Sequence, residues 1–415
     1  MKKIIFLFLP ILFCNKILYA QTSENITIPS STLENEKSER DSLTSERDLA
    51  DVLNNLLNKK NHPHLHKPKI KSESTQLAFI PGGGYSTQTG LAIVASSNLV
   101  FYTDKKNISR ESSMQMSAAF TQKSQIIVPF AANIWSKTGN YNFISDIRFM
   151  NYPSKTFGLG PKQLTSNESD IDFNYLRIHQ TVLRKIIPDL FAGIGFYYDR
   201  FWDIKEINPP TNKRTSFQRY GFSTSETAVG INLQAVFDDR DNSINPKHGW
   251  YASVRYRTNQ KTIGSDANWE QSIIEIKKYF TFPSHSKNVL AFWSYSWLTT
   301  NGKPPYLLLP STGWDDFFNT GRGYLQSRYR DKDMSYLEAE YRFRLTKNGL
   351  LGGVVFANVQ TFSTVFANEY QTLLPGYGLG LRVKLNKHSD TNLCIDYGRG
   401  RNGSSGIFIN LGEVF

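Results

Sequence analysis

Cysteine is almost missing from this chain, with Cys14 and Cys394 the only two in 415 residues. Cys14 falls inside a leader with Lys2 and Lys3, the apolar run Ile4 to Phe13 and the ending Leu18-Tyr19-Ala20. That is the pattern of a secretory signal peptide over residues 1–20, with cleavage expected after Ala20. Phe13 stands before Cys14 where lipid attachment needs a small residue, which argues against a lipoprotein anchor. Cys394 is then alone, so an intramolecular disulfide is excluded. A secreted chain of this size without disulfides is expected to be held by strand closure.

Long apolar runs are also lacking. Beyond the leader none approaches the roughly 20 residues a spanning helix requires, which leaves a soluble fold or a β-barrel. No Gly-x-Ser-x-Gly elbow or other hydrolase signature occurs, and no pair of acids is positioned for catalysis by sequence alone. The chain is therefore expected not to be an enzyme, to need no cofactor or metal, and to bind no nucleic acid. Aromatic residues are missing from Gln21 to Ser74, although the whole chain holds 28 Phe, 21 Tyr and 7 Trp. Many aromatics at modest hydrophobicity fit strands that face lipid on one side and a wet lumen on the other, with ring girdles at the interfaces. The net charge of +12 fits a basic lumen or an attraction to acidic head groups or substrates.

The polar stretch 21–75 is expected to be a periplasmic segment. Ser31 or Thr32 is an acceptable cap for a helix over 32–58, in which Leu49, Val52, Leu53, Leu56 and Leu57 form a narrow apolar stripe. The stripe would dock in a barrel mouth or against a partner, or belong to a marginal, frayed helix. His62, His64 and His66 alternate, and imidazoles can bind zinc, but the flanking prolines and lysines favour a solvated linker.

From residue 76 onward the pattern changes. Between Tyr336 and Leu345 one face carries Tyr336, Glu338, Glu340, Arg342 and Arg344, and the other Leu337, Ala339, Tyr341, Phe343 and Leu345. Strand side chains alternate between faces. A soluble sandwich would turn the charged face to water, and a membrane barrel would turn it to the lumen. Strand signals ending at turn chemistry recur over 77–85, 90–102, 111–121, 124–135, 140–150, 172–185, 189–204, 218–238, 248–259, 268–282, 286–299, 333–346, 350–363, 376–387, 390–399 and 404–415. Sixteen is even, as in bacterial single-chain barrels. The long connections 151–171, 205–214 and 300–332 fall on one side of this count, and the short ones at 282–285, 347–349 and 387–390 on the other. The last strand sets Ile407, Ile409, Leu411 and Phe415 on one apolar face. Ile409, Leu411 and Phe415 are expected to face lipid as an assembly signal, with Glu413 interrupting that face near the water interface. The sequence therefore predicts an all-β, 16-stranded antiparallel transmembrane β-barrel over 76–415.

Four stretches of this barrel resemble the BamA/TamA family of bacterial surface-antigen barrels. Gly321-Arg322-Gly323-Tyr324 is similar to the family's Val-Arg-Gly-Phe/Tyr motif in the sixth surface loop. Asp238-Asp239-Arg240-Asp241-Asn242, with Pro246 and Gly249, is similar to a turn between middle strands. Ile395-Asp396-Tyr397-Gly398 and Leu411-Gly412-Glu413-Val414-Phe415 complete the set. Ile80-Pro81-Gly82-Gly83-Gly84-Tyr85-Ser86 also resembles a first barrel strand of such proteins. The acidic turn lacks calcium-loop spacing and reads as hydrogen-bonded.

The resemblance implies the outer membrane of a Gram-negative bacterium, lipid and the assembly machinery as partners, and a periplasmic or membrane protein partner. It implies help with insertion or translocation of proteins or lipids; the alternative is a channel or structural barrel plugged by its sixth loop. The 54 residues from Gln21 to Ser74 are too few for a POTRA module, so a member without POTRA domains is expected. In relatives the loop arginine folds inward onto an acid in a Phe-x-Asp-x-Gly stretch, but here Phe356-Ala357-Asn358-Val359-Gln360 places Asn358 there. Arg322 is therefore expected to lock onto Glu338, Glu340 or Asp396, unless those acids merely pair with Arg342, Arg344 and Arg382. Gly378 and Gly380 would make room for the loop or curve their strand. Gly82, Gly83 and Gly84 would weaken a seam between the first and last strands.

Overall fold

A computed structural model describes residues 46–49, 51–52, 75–86, 89–104, 110–209, 214–221, 223–363, 372–387 and 389–415. The leader, the trio His62, His64 and His66, and most of the helix expected over 32–58 lie outside these residues. Of that helix only residues 46–49 and 51–52 are described, with Leu49, Asp51 and Val52 helical.

The strands are β1 (Gln76–Ser86), β2 (Gly90–Phe101), β3 (Ser112–Thr121), β4 (Ile126–Trp135), β5 (Tyr141–Asn151), β6 (Ser154–Thr156), β7 (Ser169–Ile187), β8 (Leu190–Ile207), β9 (Ser225–Asp238), β10 (Gly249–Asn259), β11 (Trp269–Thr281), β12 (Val289–Gly302), β13 (Asp333–Arg344), β14 (Leu351–Ser363), β15 (Leu374–Asn386), β16 (Thr391–Gly400) and β17 (Ser405–Leu411). They form one antiparallel sheet. Each pairs with its successor, except that β5 pairs with β7 and the short β6 adds to the outer end of β7. Sixteen of the seventeen are the strands expected from sequence; β6 is extra. The strand expected from 218 starts at Ser225, because Ser216–Gly221 forms a short helix, α1.

The sheet is inside-out. On β13, Tyr336, Glu338, Glu340 and Arg342 are buried, whereas Leu337 is 55% exposed. Leu77, Phe79, Leu91, Ile93, Val355, Leu379, Ile407 and Leu411 are exposed in the same way. Surface of this kind is stable against lipid, not water. No described helix is long and apolar enough to cross a membrane. The interior is filled at one end by Tyr152, Leu159, Phe217, Tyr220 and Tyr306 to Leu309. Toward the other end it holds Tyr279, Trp293, Tyr295, Tyr324, Tyr329, Tyr336 and Phe415.

Closure is incomplete. β1 and β17 lie beside one another, but among the described residues no hydrogen-bonded ladder joins them; β1 pairs only with β2 and β17 only with β16. β17 is 7 residues long against 11 for β1.

The end of the chain corrects one expectation. Ile409 and Leu411 face outward, but Phe415 does not face lipid and Glu413 is not at the water interface. The strand stops at Leu411, Gly412 takes φ +83°, and the tail turns into the lumen. There the Phe415 ring stacks on Trp293 at 5.3 Å, and Glu413 reaches Arg382 and Asn392. Buried arginines offer the Glu413 carboxylate more than the interface can, and period-2 extrapolation past a left-handed glycine fails.

Candidate functional site

The site is built from the connection between β12 and β13, residues 303–332, which enters the lumen. Its strand neighbours put a row of partners opposite one another: Glu338 pairs with Asn358 and Asn358 with Gly376. In the next rows Glu340 stands beside Phe356, Phe356 beside Gly378, and Gly380 beside Asp396.

Arg322 is 1% exposed. Its Nη1 donates to Asp396 Oδ2 at 2.6 Å and its Nη2 to both Glu338 and Glu340. The guanidinium also lies 3.8 Å from the centre of the Phe356 ring, so its faces as well as its edges are used. Asn358, standing where relatives carry an acid, donates from Nδ2 to the Arg322 carbonyl at 2.9 Å. It holds the backbone of the arginine rather than its charge. Gln360 accepts from the Thr312 hydroxyl at 2.9 Å, on the same loop.

Glycine makes the approach feasible. Gly323 has φ +107°, and a Cβ on Gly398 would sit 2.6 Å from its amide nitrogen. Gly321 is likewise left-handed, at φ +78°. A Cβ on Gly380 would lie 1.8 Å from the Asp396 carboxylate, and one on Gly378 would strike the Phe356 ring. Gly378 and Gly380 thus make room for the groups that hold Arg322, not for the loop itself. Tyr324 donates its hydroxyl to the Pro375 carbonyl and accepts from the Arg401 amide.

The contacts continue beyond Arg322. Asp396 pairs with Arg382 at 2.5 Å, Arg382 with Glu413 at 2.8 Å and Glu413 with Arg342 at 3.7 Å. Arg342 pairs with Glu340 at 2.8 Å, and Glu340 returns to Arg322. This is a closed circuit of alternating charges joining the loop, three strands and the inward tail. Glu338 is a fourth acid outside it, and it accepts from the Tyr336 hydroxyl. Such a network offsets the desolvation of its members only when it is complete.

A second anchor went unnoticed in the sequence. Asp316, six residues before Arg322, pairs with Arg255 of β10 at 2.6 Å and Arg177 of β7 at 3.6 Å. Arg148 of β5 donates to its carbonyl at 2.8 Å. Asp315 shapes the turn between the anchors, accepting from the Thr320 amide and hydroxyl at 2.7 Å each. The signal was present: Arg148, Arg177 and Arg255 share their strands' inward face, and Asp315-Asp316 is an acid pair in the inserted loop. At the other end of the barrel, the 238–249 turn is hydrogen-bonded. Asp238 pairs with Arg240, and Asp241 accepts from the Lys247 and His248 amides.

Residues 201–388 match the Omp85 superfamily domain. Solved structures with a similar fold include BamA of Haemophilus ducreyi lacking POTRA domains 1–3, with a TM-score of 0.55 and 12% identity over 82% of this chain and 70% of that one. CdiB of Acinetobacter baumannii gives a TM-score of 0.51 and 13% identity over 82% and 60%. CdiB of Escherichia coli gives 0.53 and 9% over 81% and 62%. The chain thus spans under two thirds of either CdiB chain. No curated protein matches it in sequence. With the Omp85 match, the outward apolar face and these folds together, the protein is a bacterial outer-membrane β-barrel.

Proposed function

We propose that this Omp85-type barrel assists the insertion or passage of proteins or lipids at the outer membrane, using the boundary between β1 and β17 as a lateral opening. The observation that carries the reading is the pair of adjacent edge strands without a ladder. An unpaired edge in a low-dielectric setting is costly, and it is also a template onto which an incoming strand can add. Gly82 and Gly83 leave β1 with no side chain to pack at this boundary, and β17 offers only seven residues. The tail, which would lengthen β17 if it continued along the sheet, is instead held inside by Phe415 and Glu413. Because Glu413 belongs to the same charge circuit as Arg322, seating of the inserted loop and seating of the tail stabilise each other.

The test is a panel of cysteine pairs between β1 and β17 in a Cys394→Ser background. Assisted insertion of an unfolded barrel protein into liposomes is measured before and after oxidation. Loss of activity on cross-linking, restored by reductant, is the expected result. Full activity in a quantitatively cross-linked barrel would refute the reading.

A further inference from the structure

The periplasmic mouth of the barrel is cationic. Lys247, Lys287, Arg342, Arg344, Arg382 and Lys384 surround a recess there, against the two acids Asp390 and Glu413. Lys247 and Lys384 both converge on Asp390. Arg342 is 6% exposed, yet its Nη1 has no hydrogen-bond partner. The region as a whole is left with more positive than negative charge.

A short acidic stretch of the same chain lies against it. Glu46 accepts from Arg344 Nη2 at 2.5 Å and stands 3.7 Å from Lys287 Nζ. The Arg47 amide donates to the Asn348 carbonyl in the turn between β13 and β14. Asp48 and Asp51 cap one helical turn reciprocally, each accepting from the other's amide at 3.0 and 3.2 Å. Those same carboxylates grip the turn after β15: Asp48 accepts from the Lys387 amide and Asp51 from its ammonium, at 3.2 and 2.8 Å. Three carboxylates, a backbone hydrogen bond and a cap thus meet complementary groups from three turns. Burial opposes ionisation of Asp51 more than any other single influence, but Lys387 and the Asp48 amide together outweigh it and hold the carboxyl below its ordinary range.

We propose that this mouth is a binding site for an acidic peptide segment, with the chain's own Glu46–Asp51 stretch as its resident occupant. Another protein that presents an acidic segment to the mouth displaces the resident stretch. The required partner chemistry is a helix-starting segment with acids at the spacing of Glu46, Asp48 and Asp51, because an isolated anion cannot supply the backbone and cap contacts. The site functions as a receptor whether or not the β1–β17 boundary opens.

The experiment uses the full chain in detergent micelles and a fluorescent synthetic peptide with the sequence of residues 34–58. Binding is compared between the wild type and the Glu46→Gln/Asp48→Asn/Asp51→Asn variant. A resident competitor lowers apparent affinity by the fraction of mouths left free. The peptide is therefore expected to bind the variant on the order of tenfold more tightly than wild type, and more weakly as salt rises. Adding Arg344→Gln and Lys387→Gln to the variant should abolish binding, while unchanged heat-modifiable gel mobility shows that the barrel is intact. Equal affinity for wild type and variant, binding that survives loss of Arg344 and Lys387, a scrambled peptide that binds as tightly, or no binding at all would each overturn the proposal.

Discussion

The inserted loop is held at two places of opposite charge. At Arg322 one cation meets three carboxylates, all nearly fully buried. At Asp316 one acid meets three arginines, two of which have other acids: Arg148 and Arg177 pair with Asp146, and Arg177 also lies 3.6 Å from Asp199, whereas Arg255 is ion-paired with Asp316 alone among the described residues. The Asp316 side chain stays 34% exposed. The difference lies in what remains when an anchor is cut. Without Arg322, Glu340 and Asp396 keep Arg342 and Arg382, but the fully buried Glu338 is left beside them with no cation. Without Asp316, Arg148 and Arg177 retain acids, and Arg255 loses its ion pair at a partly exposed position.

That contrast ranks the expected effects. Arg322→Ala should be the most damaging single change, lowering barrel stability by about 3–5 kcal/mol, as for removal of one partner from a buried ion pair. The measurement is the temperature at which heat-modifiable gel mobility is lost. Arg322→Lys should recover only part of this, since an ammonium cannot bridge carboxylates as a planar fork does. Asn358→Asp comes next, with about 1–3 kcal/mol lost. It restores the acid found in relatives, yet here it removes the donor to the Arg322 carbonyl and adds a carboxylate to a site already rich in them. A stabilised Asn358→Asp barrel would show that the site works as in relatives after all. Asp316→Asn should cost least, about 1 kcal/mol or less, as for a pair with access to solvent.

The acid dependence of the second anchor sharpens the comparison. Burial alone would raise the Asp316 carboxyl, but Arg255, Arg177 and Arg148 outweigh it and hold it well below the ordinary carboxylate range. A depressed acid contributes stability that is present above its unfolded pKa, near 4, and is lost as pH falls through the folded value. The loop is therefore expected to stay seated from neutral pH to below about 4 and to loosen only in stronger acid. The fluorescence of Trp314, next to the anchor, should stay constant over that range in the wild type; a change centred near pH 5 would contradict this.

Strand positions were legible because each strand alternates and each turn carries its own chemistry, so even the inside-out face of Tyr336 to Leu345 could be read. Arg322 was legible through a short motif and the acids of the neighbouring strand. The Asp316 anchor was not, because its arginines come from three strands more than 60 residues upstream whose meeting depends on barrel curvature. Nor was the inward turn of Phe415, since a single glycine conformation at Gly412 breaks the alternation on which that reading relied. Asn358 read only as a replacement for the acid expected there, and its contact with the Arg322 carbonyl gives it a role.

The central claim is that the loop and the tail beside the open boundary are seated together through Arg322, Asp396, Arg382, Glu413, Arg342 and Glu340. It is tested most directly by the reactivity of Val414→Cys, in a Cys394→Ser background that keeps a donor to the Gly412 carbonyl. In the parent, the buried residue 414 should react slowly with a maleimide. After Arg322→Gln, protease cleavage should appear within 303–332, and labelling at 414 should accelerate on the order of tenfold or more, since a locally opened segment loses its protection. A loop that becomes cleavable while residue 414 stays as protected as in the parent would contradict the account.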